Sequence, residues 1–129
     1  MSRTCVISFK WADGEIYRFR LGIKESRDLQ EKVDAGPSWT YHRLKNGLWK
    51  VDDIRETLFQ GLLGGGMEPK KANKLIEKWV DQRPLLENIQ PACMVLEARL
   101  GGVPDDPPKK PQGETELEQT QSPLSPTAK

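Results

Sequence analysis

Two apolar segments with a two-residue alternation lie near the start of the chain. Residues 5–11 and 16–21 are rich in β-branched and aromatic side chains, and Asp13-Gly14 between them is typical of a tight turn. The pattern predicts a β-hairpin over residues 4–21. One face should pack on helices while the other meets water. The side chains expected on the packed face are Cys5, Ile7, Phe9, Trp11, Tyr17, Phe19 and Leu21.

Beyond the hairpin, apolar residues recur at helical spacing instead of alternating. Start and stop signals divide this part of the chain into segments. The predicted helices cover residues 24–35, 38–46, 52–64, 69–83 and 91–101. Ser38 is the expected N-cap of the second helix. Asp53 and Glu56 have the spacing of a capping box at the start of the third, although Asp52 would serve equally well as its N-cap.

These elements predict an α+β fold, in which the N-terminal hairpin packs on a small bundle of four to five short helices. The expected boundaries are a single domain over residues 1–102 and a tail over 103–129. Six of the ten prolines lie in the tail, with few sizeable apolar residues. Such a segment cannot bury enough apolar surface to offset its ordering entropy, so we expect it to be disordered.

Composition and charge narrow the class of protein. Apolar residues make up 36% of the chain and charged residues 30%, and no stretch approaches the roughly 20 apolar residues of a membrane span. With no apolar secretory signal at the N-terminus, we expect a cytoplasmic protein. Residues 1–102 carry 17 Lys and Arg against 14 Asp and Glu, and residues 103–129 carry 3 against 5. Neither imbalance by itself indicates nucleic-acid binding.

Candidate chemistry is sparse. The glycines of the segment 61–66 have the outer spacing of a phosphate-binding loop, but Met67 and Glu68 stand where that loop needs Lys and Ser or Thr. The segment is better explained as a helix connection that tolerates close packing. His42 is the only histidine, and the two cysteines form no Cys-x-x-Cys pair. We therefore predict no catalytic, cofactor-binding or metal-binding residues, and no enzyme.

A lysine stripe leaves two interpretations open. Lys70, Lys74 and Lys78 recur every four residues on the fourth predicted helix. They could contact phosphates in a small nucleic-acid-binding protein. Glu77 and Asp81 dilute their field, which favours an ordinary solvated helix face. Nucleic acid is therefore the less favoured partner.

Aromatic and apolar residues in irregular sequence are the better candidates for a binding surface. They either fill the gap between hairpin and helices or form an exposed apolar patch that binds a protein partner or a second copy of the chain. The candidate partner-binding residues are Trp39, Tyr41, Leu44, Trp49, Leu85, Leu86 and Ile89.

Several segments in a fixed order resemble a known family. They are Trp11–Glu15, Leu29–Pro37, Asp52–Leu58, Gly61–Met67 and Asp81–Asn88. Over nearly all of residues 5–104 the chain resembles the gene-transfer-agent family of phage tail proteins.

The resemblance implies a role in building the tail of a phage-like particle, and no catalytic residues. Members of the family are described as tail assembly chaperones or as tail tube components. We expect first a chaperone that shields the tape-measure protein. The alternative is a structural minor tail or tail tube component.

Overall fold

The computed structural model of the chain describes residues 2–105. The first elements are the strands β1 (Arg3–Thr4), β2 (Val6–Trp11) and β3 (Glu15–Arg20). The helices α1 (Ile23–Val33), α2 (Pro37–Lys45), α3 (Val51–Gly64) and α4 (Pro69–Ile76) follow. A π-helical turn (Glu77–Asp81), a 3₁₀ turn (Leu85–Asn88), α5 (Ile89–Leu100) and β4 (Val103–Pro104) complete the described chain.

The predicted hairpin is formed by β2 and β3, which pair antiparallel with Phe9 opposite Tyr17 and Trp11 opposite Glu15. Phe9, Trp11, Tyr17 and Phe19 pack on the core as expected, whereas Ile16 on the opposite face is 67% exposed. The Phe9 and Phe19 rings stack at 4.7 Å, and Trp11 meets Phe19 edge-on at 5.7 Å. Cys5 lies in a bend before β2 and is only half-buried. Alternation along the two strands therefore identified the packed face correctly.

Helix α3 is the centre of the packing, because it contacts β3, α1, α4 and α5. Ile54, Leu58 and Leu62 recur every four residues along it and are completely buried. Burial of such a stripe is the main source of stability in a small domain. The five helices and the hairpin confirm the predicted α+β fold.

Three predicted helix starts are wrong. The N-cap of α2 is Gly36 rather than Ser38, with Pro37 as the first helical residue, where its fixed φ suits the helix. The N-cap of α3 is Lys50, and Asp53 is its third helical residue instead of its cap. Helix α5 begins two residues before Pro91, which lies in the first turn, where no helical partner for its missing N–H exists.

Two further boundaries differ from the sequence-based expectation. Helix α1 ends at Val33 because Asp34 takes a left-handed conformation with φ of 58°. The domain extends past residue 102, since Val103 pairs with Thr4 in the two-stranded sheet of β1 and β4. The Arg3 guanidinium donates hydrogen bonds to the carbonyls of Gly101 and Gly102 at 3.0 and 2.7 Å. The rest of the predicted tail, residues 106–129, lies outside the described residues.

The glycine-rich segment is a packing feature. A Cβ at Gly61 would lie 3.0 Å from the Phe19 ring, and one at Gly64 would lie 1.8 Å from the carbonyl oxygen of Arg20. At Gly65 the corresponding distance is 2.1 Å, to the carbonyl oxygen of Arg18. The end of α3 thus approaches the backbone of β3 more closely than any other residue type allows.

A buried asparagine ties the hairpin to the second half of the chain. The Asn88 side chain accepts a hydrogen bond from the Trp11 indole N–H at 2.8 Å and donates one to the Trp79 carbonyl at 2.9 Å. Trp79 belongs to the π-helical turn that continues α4. Asn88 therefore satisfies one polar group on each of two elements that are far apart in sequence.

Replacing Asn88 by alanine is expected to lower the free energy of unfolding by about 2–4 kcal/mol, because it leaves a buried indole N–H and a carbonyl without partners. Urea unfolding followed by circular dichroism measures the change. The control is Asn73→Ala, which removes only an exposed bond to Glu77 and should cost less than about 1 kcal/mol. Equal losses of unfolding free energy in Asn88→Ala and Asn73→Ala would show that the buried hydrogen bonds of Asn88 stabilise the domain no more than an exposed bond does.

Candidate functional site

A buried ion pair fixes the part of the chain that carries the predicted binding residues. Arg43 of α2 binds the Asp53 carboxylate in a bidentate manner, with Nη2–Oδ1 at 2.6 Å and Nε–Oδ2 at 2.9 Å. Asp53 Oδ2 also accepts from the backbone N–H of Lys50 at 3.0 Å. Arg43 and Lys50 both donate to the Val33 carbonyl at the end of α1. The connector between α2 and α3 is therefore held at both ends.

Helix α2 packs against α5. The Tyr41 hydroxyl donates a hydrogen bond of 2.7 Å to the Glu97 carboxylate of α5. Leu85 and Leu86 lie in the 3₁₀ turn that precedes α5, and Ile89 is the first residue of α5.

The start of α3 lies close to the 3₁₀ turn that precedes α5. Arg55 forms an ion pair with Asp81 at 2.9 Å, four residues before Leu85, and α3 contacts the 3₁₀ turn directly. Leu48 and Val51, next to the start of α3, and Leu86, in the 3₁₀ turn that contacts α3, are exposed by 60%, 50% and 75% of their surface. Three half-buried apolar side chains accompany them, namely Trp49, Leu85 and Ile89. We call these six residues the apolar end surface.

The structure separates the predicted partner-binding residues into three groups. Trp49, Leu85, Leu86 and Ile89 belong to the apolar end surface. Leu44 is buried in the core, so its side chain is not available to a partner. The predicted surface must be corrected at this position, because the face of α2 that carries Leu44 packs inside the domain.

Trp39 and Tyr41 on α2 form the third group. Trp39 is 55% exposed near the start of α2, and its ring stacks on His42 at 4.8 Å. Tyr41 is half-buried and engaged with Glu97. Leu48 and Val51 were not predicted as site residues, since an apolar residue beside a helix start gives no signal of its exposure.

The hydrogen bond that the hydroxyl donates to Glu97 raises the pKa of Tyr41 to about 12 from the usual 10.0, because ionisation would remove the donated proton and place two negative charges together. The contact is complete below pH 10, and it is lost as the pH rises through the raised pKa. We expect Glu97→Gln to return the Tyr41 titration towards pH 10, as measured by tyrosinate absorbance. The control is Asp13→Asn, which should lower the raised pKa of Tyr17 and leave Tyr41 unchanged. An unaltered Tyr41 titration in Glu97→Gln would contradict the assignment.

The described residues bring no set of reactive groups together. His42 is exposed, and Asn46 is its hydrogen-bond neighbour at 3.2 Å. Burial raises the pKa of the Cys93 thiol, which makes it less nucleophilic. Within residues 2–105 no three His, Cys, Asp or Glu side chains cluster as metal ligands would. No helix in this range has the length and apolar character needed to cross a membrane.

The lysine stripe points to solvent. Lys70, Lys74 and Lys78 are all exposed. The Lys78 ammonium lies 5.4 Å from the centre of the Trp79 ring, an arrangement with a weak cation–π attraction. For these lysines, an ordinary solvated helix face and a phosphate-binding face both stay predictions.

Comparison with known protein families gives a match over most of the chain. The model of the family described as "Phage tail tube protein, GTA-gp10" matches residues 7–102, which include all of the hairpin except Val6, all five helices and the whole apolar end surface. No curated protein and no solved structure matches the chain.

Proposed function

We propose a function from one premise: the chain belongs to the GTA-gp10 family of phage tail tube proteins, whose model matches residues 7–102. We propose that it is a structural subunit of the tail of a phage-like particle, assembled in the cytoplasm and retained in the finished particle. The family description favours this alternative over the chaperone that the sequence placed first. The expected activity is binding without catalysis.

The apolar end surface supports a role in subunit contacts. Three large apolar side chains of this surface, Leu48, Val51 and Leu86, are each at least half exposed. Covering such a patch in an assembly gains free energy in proportion to the apolar area removed from water. The connector that carries Leu48 is fixed by the Arg43–Asp53 ion pair, so little ordering is needed on binding. We therefore place a subunit contact on this surface.

Mass spectrometry of purified particles tests retention. A structural subunit should be present in many copies per particle, in a constant ratio to the other tail proteins. Particles that contain only trace amounts of this chain, while the producing cells contain it in abundance, would exclude the structural role.

The pair of substitutions Leu48→Asp and Leu86→Asp tests the surface. Charges placed in a contact that excludes water should reduce incorporation into particles at least about tenfold, corresponding to a loss of about 1.4 kcal/mol or more. The matched control is Ile23→Asp, an equally exposed apolar position at the start of α1. Both proteins should keep the unfolding midpoint of the original chain. Normal incorporation of the double variant would contradict the proposed contact.

A tail assembly chaperone is the second candidate. The same apolar end surface could shield an apolar helical segment of a tape-measure protein before the tail polymerises. Co-expression separates the two candidates: a chaperone raises the soluble yield of the tape-measure protein and is missing from finished particles. If its solubility is equal with and without this chain, the chaperone role fails.

A further inference from the structure

The outer face of the hairpin is basic. Lys10, Arg18 and Arg20 point away from the core and are exposed. Pairing places Arg18 opposite Ser8 and Arg20 opposite Val6, so no acidic residue is their direct neighbour across the strands. Within residues 2–105 none of the three cations forms an ion pair, and the nearby Glu25 carboxylate is bonded to the Gly22 N–H at 3.0 Å.

A groove leads from this face to the end of the described chain. It has a volume of about 460 Å³ and lies between β2 and the small sheet of β1 and β4. Its lining includes Ser8 and Arg18 on the hairpin side, and Val103, Pro104 and Asp105 on the other. Asp105, the last described residue, therefore lines the same groove as Arg18, and 24 residues follow it in the sequence.

The sequence beyond the groove carries a complementary charge pattern. Glu114, Glu116 and Glu118 occupy every second position, with Leu117 between the last two. In an extended segment such residues project to one side, about 7 Å apart. Arg18 and Arg20 have the same two-residue spacing on β3. Glu114 is nine residues beyond Asp105, which allows a reach of up to about 30 Å.

We propose that the acidic segment 114–118 binds the basic outer face of the hairpin of its own chain. Each exposed ion pair contributes little alone, about 0–1 kcal/mol in general. The attachment at residue 105 raises the effective concentration of the segment to the millimolar range, which makes weak contacts sufficient. The contact covers a face that the proposed tail contact does not use, so it does not depend on the proposed function.

Amide NMR spectra of the full chain and of its triple variant Glu114→Gln/Glu116→Gln/Glu118→Gln test this contact. At low salt the signals of residues 8–10 and 18–20 should differ between the two proteins, and the signals of the apolar end surface should coincide. The differences should vanish at about 1 M NaCl, where the Debye length is about 3 Å. The control Lys109→Gln/Lys110→Gln alters the same tail outside the acidic segment and should leave residues 8–10 and 18–20 almost unchanged.

Two outcomes overturn the proposal. Identical hairpin signals in the original chain and the triple variant at low salt would show that the acidic segment does not bind there. Differences that disappear on dilution would show that the occupant is the tail of a second copy and not of the same chain. Differences that are independent of protein concentration and are abolished by salt support the contact within one chain.

Discussion

Asp53→Asn is expected to lower the free energy of unfolding by about 3–5 kcal/mol, which is the usual cost of removing one partner from a buried ion pair. The substitution keeps the shape of the side chain but leaves the Arg43 guanidinium buried without a counter-charge. Asp53 is completely buried, and Arg43 is 9% exposed. Because small domains are stable by only about 5–15 kcal/mol, this loss should be visible as a large shift in the urea unfolding midpoint.

The adjacent Asp52→Asn is the matched control. Asp52 also lies in the first turn of α3, but it is exposed, so only a small interaction with the helix dipole is lost. A double-mutant cycle with Arg43→Met should give a coupling energy above about 1 kcal/mol. If Asp52→Asn and Asp53→Asn are equally stable, the ion pair does not organise this junction.

The second large effect is expected at the end of α3. Gly64→Ala should destabilise the domain by more than about 3 kcal/mol or prevent folding, because overpacking commonly costs about 1–3 kcal/mol even where side chains can adjust. Here the obstacle is the backbone carbonyl of Arg20, 1.8 Å from the new Cβ. Relief requires the hairpin and α3 to move apart, with loss of packing around Phe19.

Helix propensity alone predicts the opposite effect of Gly64→Ala on stability. Alanine is favoured over glycine inside a helix by about 1 kcal/mol, so a helix without tertiary contacts would be stabilised by the same substitution. Gly36→Ala is the control, since a Cβ there meets no atom within 4 Å and its φ of −68° suits any residue. Thermal unfolding of both variants shows whether Gly64→Ala stabilises or destabilises the domain. A Gly64→Ala protein at least as stable as the original would contradict the close approach.

The two predictions concern different ends of α3. Asp53 fixes the first turn against α1 and α2, and Gly64 fixes the last residue against β3. Loss of Asp53 should disturb the apolar end surface through Lys50 and the connector, whereas loss of Gly64 should disturb the basic hairpin face through Arg18 and Arg20. Particle incorporation and hairpin NMR shifts should therefore respond to different substitutions.

The local sequence pattern was sufficient to predict the strands and helices themselves. The two-residue alternation in residues 6–20 determined which hairpin side chains are buried, because successive side chains of a strand point to opposite faces. Helical spacing determined the buried stripe of α3 and the helical run that starts at Pro69. The family resemblance also rested on sequence alone, and the match over residues 7–102 confirms it.

Tertiary contacts decided the roles of single polar and small residues. Asp53 resembles a helix cap in the sequence, but its carboxylate also serves Arg43 from another helix, ten residues away. Gly64 resembles a helix stop, and only the position of β3 shows that a Cβ is excluded. Asn88 has no signal at all, since its partners Trp11 and Trp79 belong to separate elements.

The same division between sequence pattern and tertiary contacts applies to the candidate binding surface. Composition indicated that aromatic and leucine side chains in irregular segments were available for contacts, but burial depends on which face of a helix meets its neighbour. Leu44 is therefore buried in the core, whereas Leu48 and Val51 are exposed. Sequence determined the apolar residues and the elements that carry them; the packing of α2 and α3 against their neighbours decided which of these residues face water.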